Sequence, residues 1–490
     1  LAVAPLGRDA LPNARAVDAY QRGRLAIARG TPAVAIRIVE QALRDPPQVW
    51  IAFLEDVHGR ALWRAGDLAG AERALARAAE ENERKRDDLG SDTVKSWLLA
   101  EQRGPFEDLF LLHESTGRLD EALAVAQRAT ARSTLDRLLG GARSAAARPA
   151  TLAAVDEWHR VQRGLMRVLA SGARPTPAMP QVRAQLRGHH VITYFSARGE
   201  LWAIASGADG QLTAHDIGKA ARISALVAAM RRDPEQPAAA EALGMALLPD
   251  PMMPARDAAF YVVSDEPIAE VAFAALRRRG ELVLDHHAVG YAPSAAVLSV
   301  MRRPDSAIRP LVIGDPTGDL PDARKEAIEV AARFGVTPLL GAKATTEALL
   351  KAPDATLIHI AAHTEETPLG NAIVMSDGLL DAGTLLDNRV ATGAIVLLTC
   401  SSAPISNRDE LAAIAAAFVA SGAHTVVASR WAIDDKVARS FAHYFYDNNG
   451  VADPVRAVAA AQRLLMTTKI DGAAVPVEQW SSFAVIGGLF

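Results

Sequence analysis

From about Pro310 onward, apolar runs of strand length alternate with segments of helical periodicity, an order that few folds can accommodate. The sequence reads as strand Leu311–Gly314, helix Ala323–Phe334, strand Thr337–Leu340, helix Thr345–Lys351, strand Thr356–Ala362 and strand Ala394–Thr399. It continues with helix Glu410–Ser421, strand His424–Ser429, helix Asp435–Asp447 and helix Asp453–Met466. Strands joined through helices run parallel, with the helices covering both faces of the sheet. The predicted class is α/β, a mostly parallel sheet in an α/β/α sandwich.

Upstream the texture differs. Val191–Ser196 and Leu201–Ala205 alternate around Arg198-Gly199, and Leu212–Ile217 follows Asp209-Gly210, which predicts a meander. A helix at Ile223–Arg232 and strands near Ala259–Ser264, Leu282–Asp285 and Ala288–Tyr291 come next. From Val17 to Leu139 the chain is Ala-, Arg-, Leu- and Glu-rich with a 3.6-residue apolar period, so it reads as helices throughout. Within it a helix-glycine-helix pattern recurs around Gly30, Gly66 and Gly117, each glycine followed five residues on by an alanine. The first spacing, 36 residues, is close to that of a tetratricopeptide repeat, and the second, 51, implies an insertion. Such helix pairs must stack to bury their faces, and the stack offers a surface to another protein or to the rest of the chain. A further helix at Thr151–Ser171 and a linker with Pro175, Pro177 and Pro180 complete the plan. The expected division is 1–172 helical repeats, 173–187 linker and 188–490 α/β.

At 490 residues the chain exceeds one ordinary core, so two domains or more are expected. Net charge is −4, from 53 basic and 57 acidic residues, with no long basic run, which argues against a nucleic-acid partner or an anionic membrane. One cysteine cannot form an internal disulfide, and a reducing compartment, the cytoplasm, is the expectation. No apolar stretch approaches the length of a spanning helix. The first residue is Leu1 rather than methionine, as expected of a trimmed or partial chain, so an amino-terminal signal is left open.

The lone cysteine, Cys400, ends the apolar run Ala394–Thr399, and His363 ends the run Leu357–Ala362. Thirty-seven residues separate them, enough for one crossover and a neighbouring strand, so a thiol and an imidazole can meet at the carboxyl edge of the sheet. His359 shares a strand face with His363, but no third metal ligand is in view and a packing role is expected for it, as for His286 and His287. No phosphate loop, dinucleotide fingerprint or Gly-x-Ser-x-Gly elbow is present, so neither cofactor nor metal is expected.

With these two residues in place, residues 188–490 resemble the CHAT family of caspase-like cysteine peptidases. The resemblance is carried in order by Gly314-Asp315-Pro316, Ala344-Thr345, His359-Ile360-Ala361-Ala362-His363 and Leu398-Thr399-Cys400-Ser401-Ser402-Ala403. Gly422-Ala423, Arg430-Trp431-Ala432-Ile433-Asp434-Asp435, Ala461-Gln462 and Trp480–Gly487 follow. Cys-Ser-Ser-Ala and Trp-x-x-x-Asp are also similar to separase, a related peptidase. The resemblance implies a caspase-like sandwich, 188–309 being a pseudo-caspase part and 310–490 the catalytic part, with helical repeats ahead of it. It implies Cys400 as nucleophile and His363 as acid and base. The backbone N–H groups of Thr364 and Cys400 would form the oxyanion site, and Trp431 would wall the pocket. Asp435 would receive an arginine or lysine, unless it caps its helix. Asp315 is a second acidic candidate, unless it is a turn residue. One departure stands out: the family usually has glycine where this chain has Thr364, and a positive φ there would strain threonine. The partners implied are a protein substrate and a control element, either a regulatory protein or the chain's own repeats. Bacterial defence through a gasdermin-like target is one setting the family suggests. The alternative is a weak or inactive caspase-like scaffold that binds through its repeats.

Overall fold

A computed structural model of the chain describes residues 11–87, 98, 102–140, 176–301, 307–367, 370–388, 390, 393–399 and 414–489. By internal contacts it divides into two units, the described residues up to Ala129 and those from Thr130 onward. The helix expected at 151–171 lies outside the described residues.

The first unit is built from helix pairs, Pro12–Ala28 with Pro32–Ala42, Ile51–Ala65 with Leu68–Asp87, and Gly104–Ser115 with Leu119–Arg128. The three repeated glycines sit at the turns with φ of 71°, 87° and 71°, a left-handed backbone that a side chain would strain. Their alanines five residues on, Ala35, Ala71 and Ala122, are fully buried, because the second helix of each pair packs there and leaves no room for a longer side chain. Bidentate pairs add specificity on the flank, Arg77 to Glu55 and Arg118 to Glu72, the latter with both bonds at 2.9 Å.

The second unit holds one sheet of eleven strands among the described residues. In chain order its strands are β1 (His190–Ala197), β2 (Glu200–Ser206), β3 (Leu212–Lys219), β4 (Phe260–Val263), β5 (Val289–Tyr291), β6 (Pro310–Gly314), β7 (Leu339–Leu340) and β8 (Leu357–Ala361). A separate small sheet follows, β9 (Thr364–Thr367), β10 (Gly370–Met375) and β11 (Gly378–Leu380). The main sheet resumes with β12 (Ala394–Leu398), β13 (Thr425–Ser429) and β14 (Phe483–Gly487). The spatial order is β3-β2-β1-β4-β5-β14-β13-β12-β8-β6-β7. β1, β4, β5 and β14 run parallel, as do β13, β12, β8, β6 and β7, and the two blocks meet at the antiparallel pair β13/β14. β8, β12, β13 and β14 are buried along their whole length, which is why they read as largely apolar runs. Helices Pro321–Phe334, Asp435–Asp447 and Pro454–Thr467 pack side by side as one layer. Met179–Leu186, Ala295–Val300, Arg132–Gly140, Ile414–Ala420 and Ala382–Asp387 form a second chain of packed helices.

Several expectations change. The span read as linker holds the helix Met179–Leu186, whose Met179, Val182 and Leu186 are buried despite the neighbouring prolines, since Pro180 sits in its first turn. Helix Arg132–Gly140, expected among the repeats, packs on Ala295–Val300 and Ile414–Ala420 of the second unit. Leu282–Asp285 is mostly a helical turn, because the Asp285 carboxylate accepts the Leu282 N–H and starts Val283–His286. Strand β7 keeps only Leu339–Leu340, at the sheet edge.

The repeat geometry gives a paired expectation for thermal unfolding of the chain. Gly66→Ala, where no atom crowds the added carbon, costs about 1 kcal/mol from backbone strain alone. Ala71→Leu costs about 1–3 kcal/mol from overpacking. Equal and negligible shifts in both would contradict the packing described.

Candidate active site

Four strand ends lie level at one edge of the sheet. Ala361 of β8 is opposite Gly314 of β6 on one side and Leu398 of β12 on the other, and Leu397 is opposite Ala428 of β13. The segments that leave this edge carry Asp315, His363, Thr399 and Trp431 in turn. It is the carboxyl edge, where parallel sheets generally present their chemistry.

β8 stops at Ala361, Ala362 is still buried, and His363 emerges with 45% of its side chain exposed. Its Nε2 lies 3.4 Å from Oδ1 of Asp319, in the loop between β6 and helix Pro321–Phe334. The Thr317 hydroxyl bonds the same carboxylate and, with the His363 charge, holds Asp319 below the usual aspartate range. The His363 carbonyl accepts the Val374 N–H at 2.9 Å, which ties the histidine to the small sheet. Thr364 opens β9 in extended backbone and is not among the residues with positive φ, so threonine in place of glycine brings no strain here. Donors alternate along an antiparallel ladder; because Val374 donates to His363, the Thr364 N–H turns away from β10. Cys400, with residues 401–413, lies outside the described residues. The chain before it is well fixed: Thr399 is buried and its carbonyl accepts the Ser429 hydroxyl.

Asp435 is half-buried in the first turn of helix Asp435–Asp447. Burial raises its carboxyl above the usual range, His363 opposes the shift, and Asp434, Asp322 and Asp319 reinforce it. The helix cap is not Asp435 but Asp434, whose carboxylate accepts the Lys436 and Val437 N–H groups. Trp431 is pinned by its indole N–H, which donates to the Glu478 carbonyl at 2.6 Å, and by its backbone N–H on the Ser482 hydroxyl.

Asp315, the second acidic candidate, faces inward and is 1% exposed. Oδ1 accepts the Leu320 N–H at 2.9 Å, Oδ2 accepts Arg324 Nε at 2.6 Å, and the backbone, at φ 46°, donates to Ala361 and accepts from Gly341. A carboxylate so enclosed organises the loop that carries Asp319 and cannot reach a ligand. Of the two acids of this loop it is Asp319 that contacts His363, and the Asp-Pro step is the signal in the chain that marks Asp315 as the turn residue.

His359 is completely buried, as a packing residue should be, yet both ring nitrogens are engaged, Nδ1 with the Tyr446 hydroxyl at 3.0 Å and Nε2 with Glu326 Oε1 at 2.8 Å. His286 pairs with Glu281, and His287 bonds the Ala258 carbonyl. Among the described residues no three His, Cys, Asp or Glu side chains gather in a way that could hold a metal ion.

The CHAT domain model matches residues 237–488, just over half of the chain. The chain belongs to the CHAT family. Its CHAT region contains β4 to β14 and therefore every site residue named above. Among curated proteins, Tetratricopeptide repeat protein 28 of Mus musculus is 26% identical over 215 residues, covering 35% of this chain and 9% of that protein. Among solved structures, separase in the Saccharomyces cerevisiae separase-securin complex aligns with a TM-score of 0.50 at 9% identity. That match covers 97% of this chain and 47% of separase, and it shows a shared caspase-like fold with helices ahead of the sheet. The Arg-specific cysteine proteinase gingipain R aligns with a TM-score of 0.33 at 9% identity, over 52% of this chain and 68% of its own, too slight a likeness to bear on the site. The chain spans less than half of the first two proteins. No described helix of the CHAT region or of the repeats is long and apolar enough to cross a membrane.

If Asp315 organises the loop, Asp315→Ala lowers stability in denaturant unfolding by about 2 kcal/mol, the worth of hydrogen bonds to a buried charge. An unchanged denaturation midpoint in the variant would contradict that role.

Proposed function

We propose that this CHAT protein is a cysteine endopeptidase acting through Cys400 and His363. The observation that carries the reading is the register: Ala361 is opposite Leu398 at the ends of adjacent parallel strands, and His363 and Cys400 each come two residues later in the sequence. Cys400 Sγ attacks the scissile carbonyl as thiolate and expels the amine, which takes a proton from His363; water then hydrolyses the acyl-enzyme with His363 as base. The tetrahedral oxyanion is received by the backbone N–H groups of Cys400 and Thr364, main-chain donors on either side of the proposed dyad. Side-chain replacement at Thr364 leaves such a donor in place.

Substrate choice falls to Trp431 and Asp435. A half-buried carboxylate beside His363, with further acids around it, favours an arginine or lysine before the cut. Separase was solved with securin, and a protein partner, or the chain's own repeats, is the proposed control element here. Cleavage of a gasdermin-like protein in bacterial defence rests on the family resemblance alone. The protein partner is tested by comparing cleavage with and without it; equal rates with every candidate would remove that part of the proposal.

Cys400→Ala abolishes peptide cleavage, and His363→Ala lowers kcat/KM by about 10²–10⁴-fold, with folding intact by circular dichroism. Full activity in Cys400→Ala would refute the mechanism. Because the Asp435 carboxyl is raised, it takes up its proton at a higher pH than an ordinary aspartate as the solution is acidified. The preference for basic over neutral peptides therefore fades on acidification before the usual aspartate range is reached, and Asp435→Asn lacks that step. A selectivity ratio independent of pH in the parent protein would remove Asp435 from the pocket.

A further inference from the structure

The buried trio of Glu326, His359 and Tyr446 takes no part in the chemistry above, yet it occupies the middle of the catalytic half. Glu326 is 1% exposed and His359 not at all. Taking a carboxylate and an imidazole out of water costs several kcal/mol, and apolar side chains of similar shape would fill the same space at no such cost. The arrangement is fully satisfied. The Tyr446 hydroxyl bonds Nδ1 of His359 and Nε2 of the same ring bonds Glu326 Oε1, while burial pushes both the Glu326 carboxyl and the Tyr446 hydroxyl above their usual ranges.

The three side chains come from three elements, and each element carries one group of the site. His359 lies on β8, and His363 follows two residues after that strand ends. Glu326 lies on helix Pro321–Phe334, and Asp319 is two residues ahead of it. Tyr446 lies on helix Asp435–Asp447, of which Asp435 is the first residue. On the surface the same two helices are joined by Arg439 with Glu329 and by Arg333 with Asp447, but exposed pairs of this kind contribute only about 0–1 kcal/mol and hold long side chains loosely. The buried chain of hydrogen bonds is short, directional and shielded from water.

We propose that Glu326, His359 and Tyr446 are positioning residues for His363: one buried hydrogen-bonded chain fixes the three elements from whose ends His363, Asp319 and Asp435 project. Loosening it lets the strand tip and the two helix starts drift apart, so turnover falls while the wall at Trp431, held by Glu478 and Ser482, still binds peptide. The effect on turnover rests on the peptidase reading; the effect on local order does not.

The test uses the full chain with Glu326→Leu, which breaks the chain of bonds, and Glu326→Gln, which keeps an acceptor for His359. Amide hydrogen exchange is read at Val374, bonded to the His363 carbonyl, and at Lys436, bonded to the Asp434 carboxylate, with Ala203 in β2 as the remote reference. Glu326→Leu is expected to raise exchange at Val374 and Lys436 about tenfold with Ala203 unchanged. It also lowers kcat about tenfold with KM within about twofold, and Glu326→Gln restores most of both. Unchanged exchange and kcat in folded Glu326→Leu, a uniform rise that includes Ala203, or equal losses in the Gln and Leu variants would each overturn the proposal. If Glu326→Leu fails to fold, Tyr446→Phe, which removes one hydroxyl, is read against the same outcomes. If the parent protein cleaves no peptide, the exchange data decide alone, and it is the peptidase reading that falls.

Discussion

The level register of parallel strands β6, β8, β12 and β13 is the constraint on which the rest of the site depends. Backbone hydrogen bonds fix that register, and the strands are buried along their whole length. Because the strands end together, whatever follows each of them is brought to one edge. His363 and Cys400 are each two residues past a paired position in the sequence, which is the basis for proposing them as partners. The surrounding loops adjust the electrostatics, with Asp319 against the imidazole and a half-buried Asp435 nearby.

The fold extends this logic beyond the catalytic half. β14 lies between β13, to which it is antiparallel, and β5, to which it is parallel, so one continuous sheet joins the parallel block that carries the candidate site residues to one that does not. Arg430 reinforces the seam, its guanidinium 4.0 Å from the centre of the Tyr291 ring. β13, which leads to Trp431, is thereby clamped from both sides by β12 and β14.

Much of this was legible in the chain. Buried parallel strands announce themselves as continuous apolar runs, and helix Asp435–Asp447 was read with its observed bounds because an apolar period and an aspartate at its start agree. The turn glycines and their buried alanines were legible too, since only small residues meet both demands. Strand β14 was missed because its five residues acquire their meaning only from the gap they fill. Helix Met179–Leu186 was hidden by prolines that signal a linker locally but are tolerated in a first turn. At the site, His363 was identifiable from where its strand stopped. Whether Thr364 is strained was left open by the chain, because the backbone conformation after a strand depends on whether a hairpin follows.

The sequence by itself determined the α/β order, the helical repeats, the CHAT resemblance and the candidates His363 and Cys400, all of which follow from local periodicity and motif order. Only the tertiary structure decided which acid of the loop after β6 contacts His363. Asp315 and Asp319 differ by four positions in one loop, yet one is sealed under Arg324 and Leu320 while the other meets the histidine. Likewise, nothing local distinguishes His359 from an apolar packing residue. Its role depends on Glu326, 33 residues before it, and Tyr446, 87 residues after it, and such long-range pairing exists only once the layers have closed.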